Sequence, residues 1–239
     1  MESFLTAIPD IPRWVEARSM LISGKARVLG VEAAVTPTGL PNGVIVQADA
    51  RLAAVIGQPG ASFLREAAGI ADEILAVPEN AAWITQALPG WLSESATLHV
   101  LADASRLPDV PDGAVRLLAP GELDTISDMT ADLHEELASA LREGTPIAAA
   151  LLDARPVAFS YPGAITETWW DVSIDTLEPY RRQGHAARCA TDMIRRMAQA
   201  GKRPIWCSAV ANPPSALLAA RLGFVAVDSM VIFSRADRA

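Results

Sequence analysis

Short apolar runs alternate with amphipathic stretches through the second half of the chain. In "ETWWDVSIDT" (167–176) apolar residues fall at every second position, with Asp171, Ser173 and Asp175 between them, which predicts a strand. The stretch that follows the next loop, 186–201, places its apolar residues on one helical stripe and ends at Gly201, which predicts an amphipathic helix. This part of the chain is therefore predicted to be mixed α/β.

The same period argument assigns the neighbouring segments. Further helices are predicted over 121–144 and over "NPPSALLAARLG", where Asn212 is a capping residue, Pro213 occupies the first position and Gly223 lies past the end. Further strands are predicted in "AVRLLAP", in "PIWCSAVA", in "FVAVDSMVIFS", and in two runs of "IAAALLDARPVAFSYPG" that flank a turn at 153–156.

A Pro-, Asp- and Gly-rich stretch, "RLPDVPDGAV" (106–115), is the best candidate for a linker. It divides the chain into an N-terminal α/β part, 1–110, and a C-terminal part, 114–239. The N-terminal part contains a helical "PRWVEARSMLISG" and two strand-like runs in "GVIVQADARLAAVIGQPG". The tripeptide "DAR" occurs at 49–51 and again at 153–155, between apolar runs, so we expect the N-terminal part to be a diverged half-copy of the other.

Composition and charge narrow the class of protein. The chain has 239 residues, of which 51% are hydrophobic and 20% charged, as in ordinary soluble globular proteins. Its net charge of −8 argues against nucleic acid or anionic membranes as partners. No apolar run approaches the roughly 20 residues that span a bilayer, and no signal peptide is evident, so a cytoplasmic location is expected.

The residues that most often ligate metals do not occur in a metal-binding pattern. Cys189 and Cys207 lack a CxxC spacing, and we expect both to be buried thiols. The segment "HEELA" (134–138) has the first half of a zinc-protease motif but no second histidine. No metal is expected.

The stretch "YRRQGHAARC" (180–189) stands at a predicted strand-to-helix corner. The first N–H groups of a helix have no partners within the helix, and the helix dipole favours an anion there. Glycine and alanine leave the backbone uncovered, and the arginines add charge-assisted hydrogen bonds. The P-loop pattern and the GxGxxG pattern of dinucleotide folds are both absent, so the corner predicts a different phosphate site.

The six residues 181–186, "RRQGHA", match the pattern Arg/Gln-x-x-Gly-x-Gly/Ala, and "IWCSAVAN" and "SALLAARLGF" follow in order. Over about 114–239 the chain here resembles the GCN5-related N-acetyltransferases (GNAT), and within them the two-part, zwittermicin-resistance-like group. The resemblance implies the acyl-CoA N-acyltransferase fold, mixed α+β with a mostly antiparallel central sheet, and acetyl-CoA as cosubstrate. It implies cofactor contacts from main-chain groups of the preceding strand, from the loop and from the next helix: Ile174, Asp175, Thr176, Arg181, Arg182, Gln183, Gly184, His185, Ala186 and Asn212.

The resemblance also implies catalytic roles. A main-chain N–H near Thr176 would stabilise the oxyanion. Asp171 is the preferred general base, because a carboxylate often stands near this position in similar sequences, and Glu167 or a water relay are the alternatives. Many members carry a tyrosine as general acid at the position that Ala219 occupies here. Ser215, Cys207 or water would then have to supply the proton to the leaving thiolate.

The function expected from these features is transfer of an acetyl group to the amine of a small molecule by direct attack. Two other functions stay open: a non-catalytic acyl-CoA sensor, which the missing tyrosine suggests, and a protein or peptide N-acetyltransferase. The N-terminal part would shape the acceptor pocket or carry a homodimer contact.

Overall fold

The computed structural model describes residues 2–32 and 39–236, with side chains over 4–30 and 39–236. Eleven strands lie in the described residues: β1 (Arg27–Glu32), β2 (Asn42–Gln47), β3 (Leu52–Ile56), β4 (Glu73–Ala76), β5 (Trp91–Leu101), β6 (Val115–Leu117), β7 (Ala148–Leu152), β8 (Arg155–Ile165), β9 (Trp169–Thr176), β10 (Arg203–Ala209) and β11 (Phe224–Arg235). The α-helices there are α1 (Glu2–Ala7), α2 (Val15–Ile22), α3 (Ala61–Ala68), α4 (Ala81–Ala87), α5 (Ala131–Arg142), α6 (His185–Gln199) and α7 (Pro213–Arg221).

All eleven strands form one sheet, in the order β1-β2-β3-β4-β11-β5-β10-β9-β8-β7-β6. Neighbours run antiparallel except in two pairs, β3 with β4 and β9 with β10. This confirms the mixed α+β architecture with a mostly antiparallel sheet that the family resemblance implied. None of the helices in the described ranges has the length and apolar character needed to cross a membrane.

The sheet order is nearly symmetrical about the junction between β11 and β5. In each direction a crossing strand is followed by one strand of a parallel pair, its parallel partner and further antiparallel strands, two on the β11 side (β2 and β1) and three on the β5 side (β8, β7 and β6). The last strand of each part is exchanged: β11 pairs with β4, and β5 pairs with β10. The topology of the two parts is therefore repeated, with their final strands crossed over.

The repeated tripeptide does not mark equivalent places in this symmetry. "DAR" at 49–51 joins β2 to β3, whereas "DAR" at 153–155 joins β7 to β8. The sheet order equates β2 and β3 with β8 and β9 instead. Both segments make tight turns with left-handed residues, Arg51 in one and Asp153 and Ala154 in the other, so the shared letters reflect turn chemistry.

Alternating strand residues divide the core between two faces of the sheet. On β2, Ile45 packs with α1 and α2, whereas Val44 and Val46 pack with α3 and α4. On β7, Ala149 packs with α5, whereas its neighbours pack with α6 and α7. One face thus carries α1, α2 and α5, and the other carries the four helices that follow the parallel strands.

The long helix predicted over 121–144 is interrupted. A 3₁₀ segment covers Pro120–Thr125, and α5 begins only at Ala131. Between them Asp128 has a left-handed backbone (φ 67°), and the Thr130 hydroxyl accepts a hydrogen bond from Leu133 N at 3.3 Å as a new helix cap. The helix predicted over 186–201 is confirmed as α6, with Cys189, Met193 and Met197 buried on its inner stripe.

Candidate active site

The parallel strands β9 and β10 separate part-way along their length. They pair over three positions, the last joining Asp171 to Ile205. Beyond this pair β10 stays with β5 as far as Ala209, while β9 stays with β8 as far as Thr176. The separation opens a fork in the middle of the sheet, with Asp171 and Ile205 at its apex.

Successive residues of β9 direct their main-chain N–H and C=O groups alternately towards β8 and towards this fork. Leu177 N donates to Val157 O at 3.0 Å, so this antiparallel pair is a hydrogen-bonded one. Because such pairs alternate, Asp175 also directs its main chain to β8, while Ile174 and Thr176 direct theirs into the fork. Arg181 Nε donates to Thr176 O at 3.2 Å from the loop beyond the fork.

The loop after β9 ends in a helix terminus that no side chain caps. Gly184 is the N-cap of α6, with a left-handed backbone (φ 84°). A methyl group added at Gly184 would have only Arg188 Nη2 within 4.0 Å among the described atoms, so the space above the terminus is open. No described side chain caps this terminus, so the first N–H groups of α6 are left for an anion, as an anion site requires.

The side chains predicted for this loop differ in their exposure. Arg181, Arg182 and Gln183 are exposed at the corner. His185 as a whole is only 4% exposed, and its imidazole Nδ1 is buried without a hydrogen-bond partner among the described residues.

Arg188 adds a cation that the motif search overlooked, with Nη2 donating to Gln183 O at 3.3 Å. Its position four residues after the N-cap glycine was the available signal, because that spacing returns a side chain to the first turn.

Asn212 stands at the start of α7, where β10 ends. Its Oδ1 accepts a hydrogen bond from Ser215 N at 3.3 Å, as a helix cap. The structure thus gives Asn212 the capping role predicted from the sequence.

A cavity of about 220 Å³ begins at the apex of the fork, on the face that carries α2. Both parts of the chain line it. The N-terminal part contributes Pro12, Arg13, Glu16, Leu52, Glu73, Leu75 and Leu98, and the C-terminal part contributes Asp171, Ile205, Cys207, Met230 and Ile232.

Three carboxyl groups on three different elements line this cavity. Burial raises the pKa of Asp171 to about 7, against the opposing effect of the N–H groups of Cys207 and Val172. Burial, followed by the charges of Asp171 and Glu73, raises the pKa of Glu16 to about 8. Burial and the charge of Asp72 raise the pKa of Glu73. Asp171 therefore exchanges a proton near neutral pH, as a general base should.

Glu16 and Glu73 were missed as candidates in the sequence. Glu16 stands in a helical stretch and Glu73 at the start of a strand, and both look like ordinary polar positions. Only the packing of α2 across the sheet brings them to Asp171, so no local pattern carried the signal.

The other carboxyl groups near β9 are engaged elsewhere. Burial and the charge of Glu136 raise the pKa of Asp175 to about 6, and the Tyr161 hydroxyl donates its proton to Glu136. Glu167 is held by Arg18, with Oε2 and Oε1 accepting from Nε at 2.8 Å and Nη2 at 2.7 Å. This pair lowers the pKa of Glu167, which makes it a poorer base than Asp171.

Ala219, which occupies the position of the family's tyrosine, has a packing role. Ala219 is fully buried against the α6 side of the sheet. Ser215 Oγ accepts a hydrogen bond from Trp206 Nε1 at 2.9 Å, which leaves its own proton to donate. Burial and the charges of Asp171 and Glu16 raise the pKa of Cys207 above its ordinary range, so this thiol is a poor proton donor.

The equivalent separation in the N-terminal part, between β3 and β4, is closed. Asn80, at the start of α4, donates from Nδ2 to Gly57 O at 2.6 Å and accepts from Gln58 Nε2 at 3.4 Å. Asn80 corresponds to Asn212 in the repeat, but its side chain bridges to the end of β3. Of the two separations, the open fork between β9 and β10 is therefore better suited to a ligand.

Comparison with known proteins agrees with this geometry. Residues 146–233, from β7 to β11, match the family model of the GNAT acetyltransferases. This confirms the resemblance predicted from the loop and its flanking segments. No curated protein matches the chain in sequence.

Solved structures share the fold over nearly the whole chain. A GCN5-related N-acetyltransferase-like protein from Streptococcus suis is 19% identical, with a TM-score of 0.66, and the match covers 98% of this chain and 96% of that one. A GCN5-related N-acetyltransferase from Kribbella flavida is 13% identical, with a TM-score of 0.60 and 94% of each chain covered. A tandem GNAT protein from the clavulanic acid biosynthesis pathway is 14% identical, with a TM-score of 0.53, covering 97% of this chain and 94% of that one. The chain therefore has the GNAT fold.

Proposed function

We propose that this protein transfers an acetyl group from acetyl-CoA to the amine of a small molecule. One observation carries the proposal. The fork between β9 and β10 has an uncapped helix terminus at its open end and a titrating carboxyl group, Asp171, at its apex. Acyl transfer from a phosphate-bearing thioester to an amine needs these two features in one cleft.

The residues at the fork fit acetyl-CoA. Main-chain groups of Ile174 and the N–H of Thr176 face the gap and are available to an extended amide-bearing arm, which would pair with them as an added strand does. The loop Arg181–Ala186 offers free N–H groups and exposed arginines to a pyrophosphate. Asn212 lies where β10 leads into α7, on the other side of the gap. Acetyl-CoA supplies an activated acyl group with a thiolate leaving group.

Asp171 is the residue we assign as general base. It takes the proton from the acceptor amine, directly or through one water, and its pKa near neutrality suits that task. The main-chain N–H of Thr176 points into the fork and is the proposed donor to the developing oxyanion. No acidic side chain is required to protonate the thiolate, and water or Ser215 is the proposed source of that proton.

The acceptor is proposed to be small because α2 packs against β8 and β9 on the face of the cavity. The N-terminal part thereby contributes cavity wall where a protein substrate would need an open groove. The burial of Ala219 favours the second candidate, a module that binds acyl-CoA without turnover.

The first experiment is thermal unfolding with and without acetyl-CoA, with NAD and ATP as controls. A ligand at a hundredfold excess over its Kd stabilises the native state by about 2.7 kcal/mol. A shift with acetyl-CoA alone supports the proposed cosubstrate, and thiol release with an amine panel then separates enzyme from sensor. Equal shifts with all three ligands, or none, would overturn the assignment.

A further inference from the structure

We propose that the cavity beneath α2 binds a small apolar amine in its protonated, cationic form. Glu16 and Glu73 hold the cation, and the cavity excludes amines that also carry a carboxylate. This inference deepens the proposed function and rests on it, because it names the class of acceptor for the same site. It is carried by the charges, the apolar wall and the size of the cavity.

The charge of the cavity wall favours a cation. Glu16 comes from α2, Glu73 from β4 and Asp171 from β9, and no described lysine or arginine contributes to the pKa shift of Glu16 or Asp171. The N–H groups of Cys207 and Val172 act on the carboxyl group of Asp171, but its buried Oδ1 has no hydrogen-bond partner among the described residues. A buried acceptor left without a donor is costly, so a ligand that brings N–H donors is favoured there.

Arg13 is the cation among the described residues of the cavity wall, and it is already engaged. It donates to Asp228 through Nε at 2.8 Å and Nη2 at 2.7 Å, and to Glu79 through Nη1 at 3.2 Å. A carboxylate on the ligand would find no free positive charge on this described wall and would face three carboxyl groups. Amino acids are therefore expected to bind poorly.

The rest of the wall is apolar and sets the size of the ligand. Pro12 and Cys207 line it together with six aliphatic and thioether side chains: Leu52, Leu75, Leu98, Ile205, Met230 and Ile232. An apolar cavity of roughly 150 Å³ accepts benzene, so about 220 Å³ suits a ring or chain of about six carbons with one amine.

The acids are not arranged for a metal ion. Within residues 4–30 and 39–236 no group of three or more His, Cys, Asp or Glu side chains is placed to hold one. An ammonium group has three N–H donors, and the carboxyl groups of Glu16, Glu73 and Asp171 line the same cavity as acceptors for them.

The test is calorimetric binding to the full chain, without acetyl-CoA, of three matched probes. Benzylamine is a cation, benzyl alcohol is uncharged, and phenylglycine adds a carboxylate beside the amine. Hexylamine and hexanol repeat the comparison of amine with alcohol on an aliphatic chain instead of a ring. We expect each amine to bind at least tenfold more tightly than its alcohol, and phenylglycine to bind at least tenfold more weakly than benzylamine. Binding of phenylglycine as tight as that of benzylamine, or no amine binding at millimolar concentration, would overturn the inference.

Variants assign the contact. Glu16→Gln keeps the shape of the side chain and should weaken benzylamine at least tenfold while leaving benzyl alcohol unchanged. Glu73→Gln, at the exposed mouth, should act in the same direction and serves if Glu16→Gln folds poorly. Glu135→Gln, on exposed α5 and paired with Arg142, is the matched control. Equal loss in the control, or none in both cavity variants, would contradict the assignment.

A second readout separates binding from mere structural support. The amine cation should displace protons from the Glu16–Asp171 pair, so titrations at pH 7 in two buffers of different ionisation enthalpy should show proton release. Unchanged heats in the two buffers would count against the contact.

Failure of this inference and failure of the proposed function are distinguishable. If acetyl-CoA stabilises the protein and other acceptors are acetylated but no apolar amine binds, only the acceptor class is wrong. If the amines bind and acetyl-CoA does not, the cavity stands and the transferase assignment falls.

Discussion

Glu16 on α2 and Asp171 on β9 line the same cavity, and the charge of Asp171 raises the pKa of Glu16. The two residues come from opposite parts of the chain. Ionising both is unfavourable, because each is half-buried and partly desolvated, and no described cation offsets its charge. The pair is therefore expected to retain a proton at neutral pH and to give it up when a cation enters.

The pair makes stability depend on pH in a direction opposite to that of most carboxyl groups. Glu16 has a folded-state pKa of about 8 against an ordinary value of 4.5, so the folded protein holds a proton that the unfolded chain has lost. Stability from this group is complete below pH 4.5 and is lost as the pH rises through about 8. Glu16→Gln cannot ionise at this position. In thermal unfolding its unfolding temperature should therefore equal that of the wild type near pH 4.5 and exceed it above about pH 8.

The control for this experiment is Glu135→Gln, which removes an exposed carboxylate. Its unfolding temperature should track the wild type across the range. A Glu16→Gln variant that is equally destabilised at every pH would indicate a packing role without titration.

Asp171→Asn should lower kcat by about 10²–10⁴-fold, the usual contribution of a general base. The affinity for acetyl-CoA should stay unchanged, because Asp171 lies at the apex of the fork and the loop at its open end. In the wild type, kcat/KM should rise as the pH increases through about 7, where Asp171 loses its proton. The variant should not show this rise.

Asp175→Asn is the comparison for that variant. Asp175 lies four residues along β9, roughly 13 Å away at strand spacing, and its main chain pairs with β8. We expect a much smaller loss of kcat. A larger loss than in Asp171→Asn would move the base assignment to Asp175.

Gly184→Trp should abolish the stabilisation by acetyl-CoA, because the indole would fill the open space over the first turn of α6. The left-handed backbone also costs a non-glycine residue about 1–2 kcal/mol. Gly201→Trp, at the other end of the same helix, has φ 75° and no described atom near its added methyl group, so it carries the same strain. Binding retained by a folded Gly184→Trp, or lost in both, would refute the loop assignment.

Asn80 and Asn212 occupy equivalent places in the two parts, and their alanine variants should behave differently. Asn80→Ala loses a buried bridge to Gly57 O and should cost about 1–3 kcal/mol of stability without affecting acetyl-CoA. Asn212→Ala loses a helix cap, worth about 1 kcal/mol, and should weaken acetyl-CoA. Denaturant unfolding and thermal shift measure the two effects, and reduced acetyl-CoA affinity in Asn80→Ala would contradict the closed fork.

Local patterns predicted most of the elements around the site. The period-two run that contains Asp175 is β9, and the glycine after the arginines is the N-cap of α6, because strand alternation and helix termini depend on near neighbours. The helix over 121–144 was predicted too long for the same reason. Its apolar spacing continues through Asp128, whose left-handed backbone interrupts the helix.

Long-range packing was beyond those patterns. Nothing near Glu16 in the sequence shows that it lines the same cavity as Asp171, since that depends on α2 packing on a sheet whose strand order the sequence did not predict. The exchange of β5 and β11 was equally hidden, because an apolar strand has the same composition whichever neighbour it pairs with. The division at 110–114 stays a prediction about the chain.

Because β5 and β11, the final strands of the two parts, are exchanged between them, the protein should be expressible as two separate pieces that assemble. If the backbone were cut between residues 107 and 114, the pieces would remain joined by the ladders of β11 with β4 and β5, and of β5 with β10. Each piece produced alone would expose a long unpaired strand edge, which favours aggregation. Co-expression of the two pieces should therefore reconstitute a soluble protein by complementation, whereas either piece by itself should be insoluble.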